Sequence, residues 1–325
     1  SKGHATRWLS EWLQQQGIAV EEVSLHAPAM NDGCGAGELS PGQSWSWSDI
    51  GSSGHLLIDS LSSQGRGKIV GAALDGDGDR CLLIRETEHG VEVVDGDDIA
   101  DAILRACPQG WKVAASIESN LKLLSSLEEH PEMKGFETAV GDRWLSHALH
   151  PLLSESKHQP LLFGIEDSGH IVLPSPHPHN PHAWSLVGDG AMTLILALLA
   201  FHDAGADLMQ KGWKKRLSVK NPNRWMWDGS NELSNTVETM VRSHLEHAGN
   251  VIEWERTGLE GETNLMLIRC QFNGMDVSFG LRNSGTQEKT SISLRFSEPE
   301  PGFDAMLLMR SVQNLLLRTF NPVAY

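Results

Sequence analysis

Residues 72–84 read AALDGDGDRCLLI. Asp75, Asp77 and Asp79 stand in one short stretch, alternate with glycines, and are followed at once by Arg80. Carboxylates so close repel one another, and a bound cation relieves the crowding. One reading is a solvated acidic turn, which the apolar runs on both sides weaken. A second is a calcium loop of the EF-hand type. Asp75, Asp77 and Asp79 match its first ligands and Glu86 its last, but Arg80 takes the place of the required glycine and the flanks read as strands. The third is a Mg2+ site at the C-terminal end of a strand. Hard oxygen donors suit that ion, which completes its shell with water or phosphate. The glycines permit close approach of a phosphate, and the Arg80 guanidinium forks onto phosphate oxygens.

Two further stretches carry usable chemistry. In GIEDSGH, Gly164 to His170, Glu166 can accept from two hydroxyls and Ser168 can donate or accept. Gly169 permits close approach, and His170 can bind phosphate or shuttle a proton. A plain turn between strands fits the same residues. In RNSGTQEK, Arg282 to Lys289, Arg282 offers a fork, Ser284 and Thr286 offer hydroxyls, and Gly285 leaves backbone N–H groups open. A hairpin turn with an Asn-Ser-Gly tip is the alternative.

In that order, the three stretches resemble the α-D-phosphohexomutase superfamily, which contains phosphoglucomutases, phosphomannomutases and phosphoglucosamine mutases. DGDGDR resembles its metal loop, GIEDSGH its sugar-recognition loop, and RNSGTQEK its phosphate loop, usually Arg-Pro-Ser-Gly-Thr-Glu-Pro. Asn283, Gln287 and Glu288 depart from that form, and the rigidity of the prolines goes with them. NDGCGAGELSP resembles the segment before the metal loop in phosphoglucosamine mutase-like members, VDGDDI the start of the next domain, and VGDRW a substrate-facing loop. In the last, Arg143 meets phosphate or caps a helix surface.

The resemblance implies Mg2+ held by Asp75, Asp77 and Asp79, with Arg80 catalytic on the transferring phosphoryl group. It implies Glu166, Ser168, His170 and Arg143 on the sugar phosphate, and Arg282, Ser284, Gly285 and Thr286 on the phosphate that does not react. The implied reaction moves a phosphoryl group between the 1- and 6-positions of a hexose or hexosamine phosphate through a bisphosphate, and NDGCGAG tilts the sugar toward glucosamine phosphate. The family's first domain carries a phosphoserine in a Ser-His-Asn-Pro-like loop. This chain reads as beginning inside the second domain, and neither SPHPHNP (175–181) nor SKHQP (156–160) supplies a substitute. The expectation is a chain inactive alone, with an N-terminal domain as possible partner. Two rivals stand beside it: a non-catalytic sugar-phosphate-binding protein that has lost the serine domain, and a Mg2+-dependent phosphatase with an aspartate nucleophile.

The loops need elements to position them. Trp8, Leu9, Trp12 and Leu13 make a helical stripe that Gly17 stops, and IAVEEVSL then reads as a strand. KIVGAAL and RCLLI read as strands on either side of the aspartates. DGDDIADAILRAC reads as a helix with acidic residues at its N-terminus. WKVAASI is a strand, SNLKLLSSLEEH a helix capped by Ser119, VGDRWLSHALH a helix, and PLLFGIEDSGHIVLP strand, loop, strand. SPHPHNPHAW reads as a Pro/His loop before a buried apolar helix at 191–201. This alternation predicts α/β layers with mixed sheets up to about residue 205. Beyond 215 a helix, three strand runs and a closing helix predict an α+β domain. The predicted division is 1–94 with the metal loop, 95–214 with the sugar loop, and 215–325 with the phosphate loop, the last boundary falling in KGWKKRLSVKNPNRW.

The 325 residues carry a formal net charge of −16, which argues against nucleic-acid binding but leaves room for a locally basic pocket. Four dispersed cysteines form no CxxC pair, so neither a disulfide framework nor a zinc site is suggested and a reducing cytoplasm is the expected location. The longest apolar run is shorter than the about 20 residues that span a bilayer, so no membrane partner is expected.

Overall fold

The structure is a computed structural model that describes residues 1–127, 130–153, 160–203, 207–285 and 287–321. The chain forms two compact units, one from residues 1–119 and 130–209, the other from 120–129 and 210–325.

The first unit holds two sheets. In the first, β1 (Ser44–Ser46), β2 (Ile69–Leu74), β3 (Cys81–Glu86) and β4 (Gly90–Val94) are arranged β1-β4-β3-β2, all antiparallel. The run Cys81, Leu82, Leu83, Ile84 is fully buried, because β3 is central and covered on both faces. Helix α1 (Thr6–Gln15) and the short α2 (Leu56–Asp59) lie in this part, and α1 turns Leu9 and Leu13 inward. Residues 18–25 form no strand. They join no ladder among the described residues, and Ser24–His26 close into a 3-10 turn instead. Strand-type residues without a pairing edge have nothing to hold them extended.

Helix α3 (Gly96–Ala106) starts where the acidic residues predict. The Asp95 carboxylate accepts from Asp97 and Asp98 N–H at 3.1 and 3.2 Å. The second sheet contains β5 (Lys112–Ser116), β6 (Lys134–Thr138), β7 (Leu162–Ile165), β8 (Ile171–His177) and β9 (Asn180–Gly188), ordered β6-β5-β7-β8-β9. β5 runs parallel to β6 and β7, and the last two pairings are antiparallel. The stretch 175–184, expected as a loop, is the β8–β9 hairpin with its histidines at an exposed tip. Prolines hid its strand character, yet Pro181 lies on the edge strand β9 and Pro176 on the part of β8 beyond its pairing with β7, where a missing N–H costs little.

Helix α5 (Asp142–Leu153) packs against β5 and β7, and α6 (Gly190–Asp203) against α3 and β3. The α6 run is buried on one side only: Leu194 and Ala197 face inward, while Met192 and Leu199 are exposed. No helix among the described residues is long and apolar enough to cross a membrane.

The second unit is an antiparallel sheet of β10 (Lys214–Lys220), β11 (Val251–Leu259), β12 (Glu262–Phe272), β13 (Met275–Asn283) and β14 (Lys289–Phe296), ordered β10-β14-β13-β12-β11. α4 (Leu121–Leu127) packs on β13 and β14, and α7 (Glu232–Ala248) and α8 (Ala305–Phe320) complete the α+β layout. Its core runs from Val237 and Val241 through Ile268, Phe279 and Leu294 to Val312 and Leu316. One local expectation changes: KGWKKRLSVK is largely an edge strand of this sheet, pairing Lys214–Lys220 with β14. At the start of α4 the Asn120 side chain accepts the N–H of Lys122 at 3.1 Å.

Candidate active site

The aspartate loop is a tight turn between β2 and β3. Asp75 is nearly buried and organises it: one carboxylate oxygen accepts from Gly78 N–H at 3.1 Å and Arg80 N–H at 3.2 Å. The other lies 3.4 Å from Arg80 Nε. Gly78 takes φ +83°, a conformation that favours glycine.

The loop is also clamped from outside by backbone. Arg80 and His170 form an antiparallel bridge, with Cys81 N–H donating to the Gly169 carbonyl at 3.0 Å. Gly190 N–H donates to the Gly78 carbonyl at 2.9 Å, and His4 N–H to Gly76 at 3.1 Å. These approaches leave no room for side chains. A Cβ on Gly169 would stand 2.4 Å from the Cys81 carbonyl oxygen, and one on Gly190 2.4 Å from that of Arg80. The Gly188-Asp189-Gly190 turn is therefore part of the site, a contribution the sequence analysis missed. Its only sequence signal is the closely spaced glycine pair ahead of α6. Beneath the loop, burial pushes the Cys81 thiol up to about 12, so Cys81 is a packing residue and not a nucleophile.

The bridge delivers the GIEDSGH loop to the aspartates. His170 Nε2 lies 3.0 Å from both Arg80 Nε and Asp79 Oδ1, and Nδ1 lies 3.0 Å from Glu166 Oε2. With its proton on Nδ1, the neutral ring accepts from Arg80; protonated, it donates to both carboxylates. Burial lowers the His170 pKa, but the Glu166 hydrogen bond and the charges of Asp79 and Glu166 outweigh it and Arg80, and the result is raised. Burial also pushes the Asp79 carboxyl above its ordinary range, helped by Asp75 and opposed by His170.

The other expected residues fall as follows. Asp75, Asp79 and His170 offer donor atoms within 4.8 Å of one another, whereas Asp77 is exposed and outside that cluster. Glu166 is buried and already engaged, its second oxygen accepting from Gly141 N–H at 2.6 Å. That bond ties the loop before α5 to the site. Arg143, in the first turn of α5, is exposed, with its guanidinium 5.0 Å from the Trp144 ring centroid. Ser168 is half-buried. The donor set fits a hard divalent cation: two crowded carboxylates, a third on the same loop, and a raised Asp79 that a cation would hold ionised.

The phosphate-loop residues belong to the second unit. Asn283, standing where the resembled loop has proline, pins this loop through its side chain. Its Nδ2 donates to the Arg224 and Trp227 carbonyls at 2.8 Å each, and its Oδ1 accepts from Thr290 Oγ1 at 2.7 Å. Ser284 N–H donates to the Lys289 carbonyl at 2.8 Å, and Ser284 Oγ accepts from Gln287 N–H at 3.2 Å. Gly285 is exposed. Arg282 Nη1 lies 3.4 Å from Glu262, and both side chains are largely buried. Thr286 lies outside the described residues.

Residues 95–215 match the family model described as phosphoglucomutase/phosphomannomutase, alpha/beta/alpha domain III. The phosphoglucosamine mutase of Lacticaseibacillus casei is 30% identical over 198 residues, 58% of this chain and 39% of that protein. That of Streptomyces avermitilis is 30% identical over 263 residues, 77% of this chain and 50% of that protein. The chain thus spans half or less of these relatives' lengths. In fold it is similar to the Aspergillus fumigatus N-acetylphosphoglucosamine mutase in complex with GlcNAc-6P and magnesium, with a TM-score of 0.55 at 16% identity, covering 88% of this chain and 57% of that one. An apo-form N-acetylglucosamine-phosphate mutase gives a TM-score of 0.55 at 13% identity, covering 96% of this chain and 58% of that one. Residues 95–215 are a domain III of the phosphoglucomutase/phosphomannomutase type, and the chain belongs to the α-D-phosphohexomutase superfamily.

Proposed function

We propose that this chain supplies the metal-binding and substrate-binding parts of a Mg2+-dependent phosphohexomutase acting on a hexosamine phosphate, glucosamine phosphate first. The whole protein's reaction in this reading moves a phosphoryl group between the 1- and 6-positions through a bisphosphate. The observation that carries it is the Arg80–His170 bridge, which joins a carboxylate loop and a hydroxyl-binding loop into one polar cluster. Relatives described as phosphoglucosamine mutases support the sugar, and the fungal structure with magnesium supports the ion.

Asp75, Asp77 and Asp79 would hold Mg2+, which when bound neutralises charge on the transferring group. Arg80 faces that group as the catalytic cation. Glu166 fixes the His170 ring and Gly141, just before α5, and its remaining lone pairs can accept from sugar hydroxyls. Ser168 adds a hydroxyl, and Arg143 a guanidinium. Arg282, Ser284, Gly285 and Thr286 would take the non-reacting phosphate. The reading keeps the division at 94/95 and 214/215. It also holds that the isolated chain binds without turning over, since neither SPHPHNP (175–181) nor SKHQP (156–160), whose residues 156–159 lie outside the described residues, reads as a phosphoserine loop.

Isothermal titration calorimetry tests this on the chain itself. Mg2+ is expected to tighten glucosamine 6-phosphate binding, and Asp79→Asn to remove that effect. Equal affinity for glucosamine and glucosamine 6-phosphate, or an unchanged Mg2+ response in Asp79→Asn, would overturn it.

A further inference from the structure

Beside β2 the fold leaves a cavity of about 530 Å³. Close-packed interiors hold few voids larger than a water molecule, so a space of this size is room for a guest. Ile69, Val70, Gly71, Ala72 and Leu74 of β2 form one wall, and residues 18–24 form another. Leu9 and Leu13 of α1, Leu57 and Leu61, and Leu194 and Leu198 of α6 complete the lining.

Both long walls are backbone without a ladder partner on the cavity side. β2 is an outer strand of its sheet, so one of its edges is unpaired. Cys81 N–H turns away from Leu74, its partner on β2, to the Gly169 carbonyl. Leu74 and Cys81 are therefore a non-hydrogen-bonded pair, and alternation puts the N–H and C=O groups of Ala72 and Leu74 on the open edge. Among the described residues neither makes a backbone bond outside its ladder. Across the cavity, residues 18–23 (IAVEEV) are of strand type and join no ladder among the described residues. The Thr6 hydroxyl, also in the lining, is buried without a partner among the described residues. Buried polar groups in folded proteins ordinarily have one.

We infer that this cavity is a strand acceptor: an extended apolar segment of another polypeptide enters between β2 and residues 18–23 and hydrogen-bonds to both. The walls dictate the chemistry of the guest. N–H and C=O groups alternating along an open edge are matched by a second backbone, whereas an acyl chain offers them nothing. A strand with neighbours on both sides and leucines around it is apolar at consecutive positions, not at every second one. The guest is therefore a run of Val- and Ile-type residues about as long as β2, which has 6 residues. Its entry gives residues 18–23 the pairing edge they lack and makes them the outer strand. A folded second copy fits less well, because residues 18–24 close the side where the rest of its sheet would stand. The inference is independent of the sugar-phosphate reading.

The test is amide hydrogen exchange of the full chain with and without the peptide acetyl-Lys-Val-Ile-Val-Ile-Val-Lys-amide, whose Kd is measured by fluorescence anisotropy. At a peptide concentration about ten times Kd, the open-edge amides of 69–74 and the amides of 18–23 are expected to exchange about tenfold more slowly. The same peptide N-methylated at alternate residues keeps its side chains and loses the donors of one edge, and is expected to give no protection. Ala72→Pro removes an N–H from the open edge, where proline is tolerated, and is expected to weaken peptide binding by about tenfold or more. Val20→Lys leaves the β2 backbone intact, puts a charge in the opposite wall, and is expected to weaken binding likewise. Circular dichroism spectra and melting curves establish that each variant is folded. No slowing in either segment, or equal binding by the N-methylated peptide, overturns the inference. Dimerisation of the chain in sedimentation, abolished by Ala72→Pro and unaffected by the peptide, assigns the edge to a second copy and overturns it as well.

Discussion

The aspartate loop and the phosphate loop face opposite charge problems and are held by opposite means. The first crowds carboxylates and covers them partly from within, with Arg80 and His170. The second has Arg224 on its Ser284 carbonyl, and Lys220 stands opposite Lys289 in the adjoining β10–β14 ladder. The first is locked by backbone: carbonyls of Arg80, Cys81 and Gly78 lie where side chains on Gly169 and Gly190 would be. The second is locked by one side chain, Asn283, which grips two carbonyls and a hydroxyl. The first loop is thus fixed by backbone contacts added to the bonds of Asp75, and the second by the Asn283 amide together with one Arg224 N–H on the Ser284 carbonyl.

The sharpest way to break this contrast is Gly190→Ala. The new Cβ would fall 2.4 Å from the Arg80 carbonyl oxygen and 2.8 Å from that of Gly78, both backbone atoms that cannot swing away. Thermal or denaturant unfolding is expected to show a loss above about 3 kcal/mol. A loss below about 1 kcal/mol would mean that the loop is not backbone-clamped.

Asn283→Ala comes next. It strands a buried hydroxyl and two carbonyls, for about 2–3 kcal/mol of stability by the same measurement. If Asn283→Ala costs nothing, a different contact holds the second loop.

Asp79→Asn works in the other direction. Burial and Asp75 already disfavour its charge, so the metal-free protein is expected to hold or gain stability, by up to about 1 kcal/mol, while the stabilisation by Mg2+ disappears. Melting curves with and without Mg2+ separate the two effects. A drop in metal-free stability contradicts the crowding argument.

The smallest effect concerns the NDGCGAG segment, whose Gly37 lies beside Arg80. Glu38 accepts from the N–H groups of Gly33, Cys34 and Gly35, and buried His55 contacts the Gly35 carbonyl at 3.3 Å. Burial holds the His55 pKa below its ordinary 6.5, so the unfolded chain takes up a proton that the folded chain resists. Its contribution is intact above about pH 6.5 and is lost as pH falls below that value. Stability measured from pH 7.5 to 5 is expected to decline more steeply in the wild type than in His55→Gln. Parallel curves would remove His55 from the account.

The three chemical loops were legible because each packs its residue types into a few consecutive positions. The flanking elements were legible from periodicity: KIVGAAL and RCLLI are strands, and Asp95 caps α3. What the chain order hid is contact between distant residues. Gly190 serves the aspartate loop from more than a hundred residues away, and Arg224 reaches Ser284 across sixty positions. Glu166 read as a sugar acceptor, and the fold shows it already holding Gly141 N–H and His170. Local propensity misled where pairing decides. Residues 18–25 look like a strand and have no ladder, while the proline-rich 175–184 looks like a loop and has one.

The central claim is that the aspartate loop and His170 form one cation-binding cluster. Nuclear magnetic resonance of the fifteen histidine side chains during titration with Mn2+, a paramagnetic stand-in for Mg2+, tests it most directly. The His170 ring signal, assigned with His170→Gln, is predicted to broaden first, with the broadening lost in Asp79→Asn. Earlier broadening of the hairpin histidines His177, His179 or His182, with His170 unaffected, would contradict it.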